Sequence, residues 1–395
     1  MSASAVLSIL HTQSQVVWHK LRRDGVKETA EAIIERVVRI YFLYNVVYRR
    51  WMRKNVSTLD RSELIAECTS IIVDSSPRWI PIKNDPSMFE KAETAMYNAA
   101  PRGVFEVENV AVDPLSGLAR TRDGRIVTEV VTPPTSRDAG VGLAIAKTLE
   151  GGVNPARRRM LRTGIKSHMT DSATVLVPAF NNYYHWTVEC LTRLCELSVY
   201  MDAHPAEDVQ IIIPPDLPGW AHESLEMLDV ADRCVQMDHP VSLDRLLVPS
   251  FGDPTRLECE WLRDQVTVQK EARRRVFISR TDATRRRVGN MDELKPIFDR
   301  WDIEIVVLSN LHVREQVKLF SQTELIIGVH GAGLTNLIYS YDADVIEIFG
   351  IRKKNTYARL CEFISLDYQY IETGQDGIYL NVEPDVLEHA IIDSI

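Results

Sequence analysis

The sequence predicts an α/β protein whose later part carries a parallel sheet with crossover helices. Three observations predict it. Past residue 275, apolar runs of strand length alternate with helical segments, and such alternation builds βαβ units. One of these runs, Leu325-Ile326-Ile327-Gly328-Val329, leads into His330-Gly331-Ala332-Gly333-Leu334-Thr335-Asn336, a glycine turn that opens a helix. The chain has 395 residues, 45% of them hydrophobic, enough for two domains with cores of their own.

Residues 1–60 read as a helical extension. Inside it, 30–54 join an apolar face (Ile33, Ile34, Val37, Val38, Ile40, Tyr41) to a basic end, Arg49, Arg50, Arg53 and Lys54. Its uncharged core, 40–48, is too short to span a bilayer. Such a helix suits either a membrane interface or a dock on the protein's own core. His11, Gln13, Gln15 and His19 interrupt any apolar core near the start, so no signal peptide is expected. Residues 61–246 read as a first domain, with strand-like runs at 104–112, 125–131, 175–177 and 211–213. Arg157, Arg158 and Arg159 fit a solvated helix face. Trp186, Cys190, Leu194 and Leu197 keep helical spacing. Residues 247–395 read as a second domain. Its expected strands are 276–278, 303–308, 325–329, 345–349 and 368–371, and its helices 291–300, 313–321, 334–339 and 356–365. The tail, 384–395, reads as a helix able to pack back across the first domain.

A net charge of −9 argues against nucleic acid as the main partner. The six cysteines, Cys68, Cys190, Cys195, Cys234, Cys259 and Cys361, have no Cys-x-x-Cys spacing and read as reduced core residues of a cytosolic protein. Asp342-Ala343-Asp344 is an Asp-x-Asp string. It precedes the strand at 345–349, at the wrong end of the sheet for a bound ion, and reads as a turn. No strong metal site is expected.

Glycines in a strand-to-helix turn let backbone N–H groups approach a ligand closely. The helix start adds unpaired donors and partial positive charge, which together suit a phosphate or diphosphate. A second anion-binding element lies upstream. Arg280 follows the strand at 276–278, and Arg285, Arg286 and Arg287 follow in a polar loop that closes at Asn290. Ligands of open α/β sheets bind outside the carboxyl ends of strands, and the arginine fork matches phosphate oxygens in pairs. A third element is Asn181-Asn182-Tyr183-Tyr184-His185-Trp186-Thr187-Val188-Glu189. His185 and Glu189 are four apart and share one face near a helix start, with Asn182 three residues before His185.

These three motifs, in this order and spacing from about residue 175 to 350, resemble glycosyltransferase family 61. The family includes capsular and cell-surface polysaccharide enzymes of microbes. It also includes eukaryotic enzymes that move N-acetylglucosamine or xylose from UDP-sugars. The resemblance implies a GT-B-like fold, with two facing Rossmann-like domains and the sugar nucleotide bound mainly to the second. It implies inverting transfer to a hydroxyl of a glycan, polysaccharide or glycoconjugate. Arg280 with Arg286 or Arg287 would hold the donor diphosphate, and Asn290 would shape that loop. Gly331, Ala332 and Gly333 would present amides, Thr335 and Asn336 would stand at the helix start, and His330 would face the cleft. Asn182, His185 and Glu189 would act near the sugar or acceptor, with Glu189 or His185 as the base.

No cofactor beyond the nucleotide-sugar co-substrate is implied. The expected partners are that donor and a glycan or lipid-linked acceptor. The expected location is cytoplasmic, at most peripheral to a membrane through 30–54. Two rivals remain open. A nicotinamide-dependent oxidoreductase would use Gly331 and Gly333 as a dinucleotide fingerprint and Glu347 on a ribose; Asn336 at the third glycine position opposes it. A non-catalytic protein with a degenerate transferase fold is the other.

Overall fold

The computed structural model describes residues 57–75, 78–81, 96–99, 101–131, 137–150, 168–178, 181–251, 255–266 and 273–395. The 30–54 segment and Arg157, Arg158 and Arg159 lie outside these residues. The chain divides into two compact units, with a boundary between Gln265 and Val266.

Up to Gln265 the described elements are β1 (Thr58–Leu59), α1 (Arg61–Glu67), β2 (Thr69–Asp74), β3 (Arg78–Pro81), β4 (Met96–Ala99), β5 (Arg102–Asp113), β6 (Leu118–Thr121), β7 (Ile126–Val127), α2 (Arg137–Glu150), β8 (His168–Val175), α3 (Leu194–Ala203), β9 (Gln210–Ile213), α4 (Gly219–Met227), β10 (Cys234–Gln236), β11 (Val241–Pro249) and α5 (Arg256–Asp264). A nine-stranded sheet runs β1-β7-β6-β5-β11-β8-β9-β10, with β2 also beside β5. Its β11-β8-β9-β10 half is parallel. The pairings β11-β5, β5-β6, β6-β7 and β2-β5 are antiparallel.

This unit therefore departs from the expected Rossmann-like sheet. The connection from β5 to β6 is a tight turn, with the Gly117 N–H donating to Asp113 O (2.9 Å) and Gly117 at φ +73°. A turn that short can join only antiparallel neighbours. The expected strand at 125–131 is confined to β7, and Thr128–Val130 form a 3-10 turn. That turn lets the Glu129 carboxylate point inward to Arg61 (2.8 Å) and accept the Phe251 N–H (2.8 Å).

The unit also continues past residue 246. Strand β11 crosses that position and pairs on both sides. Then α5 returns Glu258 to the buried Arg102 guanidinium, which also holds Glu196 of α3 (2.5 and 2.6 Å). Two buried carboxylates on one arginine fix α3 and α5 against β5, more a device of geometry than of net stability.

The second unit contains β12 (Arg274–Ile278), β13 (Arg287–Val288), α6 (Met291–Arg300), β14 (Ile303–Val306), α7 (Val313–Ser321), β15 (Thr323–Val329), β16 (Asp344–Phe349), α8 (Thr356–Ile364), β17 (Tyr368–Glu372), β18 (Gly374–Asp376), β19 (Tyr379–Asn381) and α9 (Pro384–Asp393). Five strands form one sheet in the order β14-β12-β15-β16-β17, every pair parallel. Helices α6 and α7 each link one of these strands to the next, as the alternating pattern requires. Because β14 and β15 flank β12, the chain reverses direction across the sheet there. The crevice at such a reversal, outside the carboxyl ends of the strands, is where ligands of open sheets sit.

Phe277, Ile327, Ile346 and Ile348 of this sheet share one buried cluster with Leu294 and Phe298 of α6 and Leu387, Ala390 and Ile391 of α9. The tail helix thus packs on its own sheet, and Gln369 Nε2 donates to Ala390 O (2.9 Å) and Ser394 Oγ (2.7 Å). Beside the main sheet, β13 pairs with β19 and β19 with β18.

Candidate functional site

The carboxyl ends of β12 and β15, neighbours at the reversal, carry the two expected anion-binding elements. Past β15 the His330 N–H donates to Ile348 O (3.0 Å), so the chain stays beside β16 for one more residue. Gly331 is extended (φ 171°, ψ 168°), a conformation open to any residue. What excludes a side chain is space: a Cβ there would overlap Nη1 of Arg280 and lie 2.6 Å from its Cζ. A Cβ on Gly333 would stand 3.0 Å from Leu308 Cδ1 and 3.4 Å from Ile278 Cγ2, so this glycine seats the turn on the end of β12.

The expected α-helix at 334–339 is a 3-10 helix over Ala332–Tyr339, opened by the Leu334 N–H donating to Gly331 O (3.0 Å). Thr335 and Asn336 are fully buried within it. Asn336 Nδ2 reaches Gln316 Oε1 of α7 (2.8 Å) and Gly333 O (3.3 Å), which braces the turn from behind.

Arg280 is half-buried, and its Nη2 donates to Arg285 O (3.5 Å). Its Nε is buried with no hydrogen-bond partner among the described residues. Arg286 is half-buried in the left-handed region, at φ +56°. Burial, then Arg280 and Arg285, pull the Arg286 guanidinium down to about 10. Burial lowers Arg280 as well, with the charge of Arg285 adding to it. Among the described residues neither guanidinium has an ion-pair partner. Arginine holds its proton in proteins, so two half-buried cations repel each other here, with Asp282 acting the other way on Arg280 and Glu347 on Arg286.

Arg287 and Asn290 have structural tasks. Arg287 Nε donates to Ala283 O (2.5 Å), and its backbone, in β13, pairs with β19 opposite Tyr379. Asn290 Nδ2 donates to Val382 O (2.8 Å) and Glu293 Oε2 (3.0 Å), and its Oδ1 accepts the Val382 N–H (3.0 Å). Together they pin the arginine loop to the chain beyond β19.

The sequence reading missed the surroundings of His330. Its Nδ1 lies 2.5 Å from Oε1 of Glu347, and Oε2 of Glu347 accepts the Tyr368 hydroxyl (2.7 Å). Glu347 is fully buried in the middle of β16, and burial pushes its carboxyl up. The His330 ring stacks on Phe349 (5.2 Å between centroids) and tilts against Tyr357 of α8 (5.4 Å). Tyr357 lies close enough to Arg280 and Arg286 to act on the charge of both. A charged residue inside Val345-Ile346-Glu347-Ile348-Phe349 was the available signal, since a buried carboxylate requires a partner. Asp344 opens β16 at the amino end of the strands, away from this site, and burial with Asp367 raises its carboxyl.

In the first unit, Asn182, His185 and Glu189 come together. Asn182 Oδ1 accepts the His185 N–H (3.1 Å), and His185 Nδ1 lies 2.6 Å from Glu189 Oε2. The helix expected there is a π-helix over His185–Cys190, then a 3-10 turn over Leu191–Arg193 that leads into α3. The Leu191 N–H reaches back to Trp186 O. This wider turn places residues four apart nearly above one another, and π-turns of this kind recur at functional sites. Trp186 anchors the segment through Nε1 to Ser224 Oγ (2.7 Å). The side chains of His185 and Glu189 stay 19% and 10% exposed, so the pair is sheltered yet reachable.

Comparison with known proteins agrees with these motifs. Residues 183–346 match the family model of glycosyltransferase 61. Over 98 residues the chain is 32% identical to the EGF domain-specific O-linked N-acetylglucosamine transferase of Drosophila melanogaster, which is 24% of this chain and 19% of that protein. The chain thus aligns with about a fifth of the length of that relative. Both findings support glycosyl transfer in general. The matched segment includes His185, Glu189, Arg280, Arg286 and His330 through Asn336. Asn182, Glu347, Tyr357 and Tyr368 lie outside it.

Proposed function

We propose that the chain is an inverting glycosyltransferase with a GT-B-like division of labour. It would move a sugar from a nucleoside diphosphate donor to a hydroxyl of a glycan or glycoconjugate. The observation that carries this reading is the Arg280 guanidinium lying on bare Gly331 at the sheet reversal, with Arg286 repelling it. A diphosphate placed there relieves the repulsion and accepts charge-assisted hydrogen bonds from both arginines. The amides of Ala332 and Gly333, at the start of the 3-10 helix, add dipolar donors.

Inverting transfer displaces the diphosphate from the anomeric carbon in line with an incoming hydroxyl. Stabilising the departing charge is the part the arginines and amides would supply. The acceptor hydroxyl must lose its proton to a base. Glu189 takes that role here, with His185 holding its carboxylate at 2.6 Å and Asn182 fixing the turn that carries His185. UDP is the first nucleotide to test, and UDP-N-acetylglucosamine the first donor, given the name of the Drosophila relative. The oxidoreductase reading loses its ribose-binding acid, because Glu347 is fully buried and bonded to His330 and Tyr368. A thermal-shift screen against nucleoside diphosphates and their sugars tests the proposal. A rise in Tm with a nucleoside diphosphate supports it. No shift with any of them, alongside a shift with NADH, would replace it with the oxidoreductase.

A further inference from the structure

The Tyr368–Glu347–His330 chain has a geometry that packing alone does not require. A buried carboxylate in the middle of a strand would more cheaply be an apolar residue. Here each of its oxygens has one partner: the Tyr368 hydroxyl on Oε2 and His330 Nδ1 on Oε1. With Nδ1 engaged by Glu347, Nε2 is the second ring nitrogen that can meet a ligand. We propose that His330 is a diphosphate ligand that binds as imidazolium, and that Glu347, with Tyr368 behind it, is the positioning residue that makes donor binding take up a proton. This inference rests on the diphosphate reading given above.

The charges facing the pair decide the direction. The loop after β12 brings the cationic Arg280, Arg285 and Arg286, with Asp282 acting on Arg280 in the opposite sense. Of these, Arg286 acts directly on Glu347. From α8 come Tyr357, against the imidazole ring, and Cys361, whose thiol burial and Glu347 push well up. From β17 come Tyr368, pushed up by burial and by Glu347, and Tyr370, which packs on Phe349. The phenol and thiol nearest Glu347 thus stay neutral, and the arginines make the field beside the pair positive. A diphosphate reverses that field. His330 then gains its proton on Nε2 and donates to a phosphate oxygen, while Glu347 stabilises the imidazolium through Nδ1–H. A carboxylate behind a catalytic imidazole works by the same logic in hydrolytic triads.

Calorimetry tests it. UDP, GDP, CDP and ADP are titrated into the full chain at about pH 8, above the second ionisation of a terminal phosphate. Buffers of low and high ionisation enthalpy are used, and the slope of observed heat against that enthalpy counts protons. The wild-type chain is expected to take up close to one proton per bound diphosphate. His330→Gln should bind roughly ten-fold more weakly with no uptake. Glu347→Gln should lose most of the uptake, and Tyr368→Phe should reduce it in part while keeping the buried carboxylate. If Glu347→Gln does not fold, the Tyr368→Phe and His330→Gln pair decides. Tight binding to the wild type with no uptake overturns the inference and leaves the diphosphate reading standing. Full uptake in His330→Gln or Glu347→Gln overturns it as well. No binding of any of the four nucleotides overturns both.

Discussion

The guanidinium of Arg280 occupies the space that a side chain on Gly331 would fill. The two residues are 51 positions apart in sequence, yet they sit at the ends of adjacent strands, β12 and β15. Their contact explains why the turn needs a glycine although its backbone would accept any residue. It also places a cation on the bend, at the carboxyl ends of the strands where the sheet reverses.

Gly331→Ala should therefore impair the site more than the fold. The new methyl meets the far end of a flexible side chain, which can swing aside, so Tm should move by no more than a few degrees. The displaced guanidinium loses its aim, and UDP affinity should fall about ten-fold or more. Unaltered affinity in calorimetry would mean that the contact has no part in binding.

Arg286 is held against two unfavourable terms, a left-handed backbone and the charge of its neighbours. Asparagine tolerates that backbone and carries no charge. Arg286→Asn is thus expected to leave the Tm of the empty protein unchanged or slightly raised, while nucleotide affinity falls by roughly ten-fold. Function and stability would then pull in opposite directions at one position. A lowered Tm would show that the arginine stabilises the empty loop.

Glu189→Gln keeps the shape and the hydrogen bond to His185 but removes the charge. Turnover with a competent donor and acceptor should drop about 100- to 10,000-fold, the usual contribution of a general base, with donor affinity nearly unchanged. Turnover near wild type would move the role to His185.

Asn290→Ala removes three hydrogen bonds that clamp the arginine loop to Val382 and Glu293. The orphaned Val382 backbone groups should cost about 1–3 kcal/mol, a fall in Tm of several degrees. Nucleotide affinity should weaken in step. Saturating UDP should restore part of the lost Tm, because ligand binding reports on the same loop.

Much of the second unit was legible because its signals are local. Apolar runs, helical spacing and breakers marked α6 and α7 to the residue and most strands within two. The glycine turn and the arginine loop were legible as motifs. Their meeting was an inference from parallel topology, since adjacent strand ends bring together residues far apart in sequence. The mixed sheet of the first unit was not legible, because pairing direction there depends on a tight turn at Gly117 and on buried ions such as Arg61–Glu129 and Arg102–Glu258. The π-helix at His185 was hidden for a related reason: Trp186, Cys190, Leu194 and Leu197 fit a regular helix equally well. Glu347 and Tyr368 escaped because their chemistry lies in partners across neighbouring strands, which spacing along one strand does not reveal.

The most direct test of the account is UDP binding to the wild-type chain and to Arg280→Ala, measured by calorimetry on proteins whose melting curves agree. Loss of one charge-assisted anchor should cost about 2 kcal/mol, a fall of roughly 30-fold in affinity. Equal affinities for the two proteins would contradict it, and the arginine on Gly331 would then have to be assigned to some other task than gripping a diphosphate.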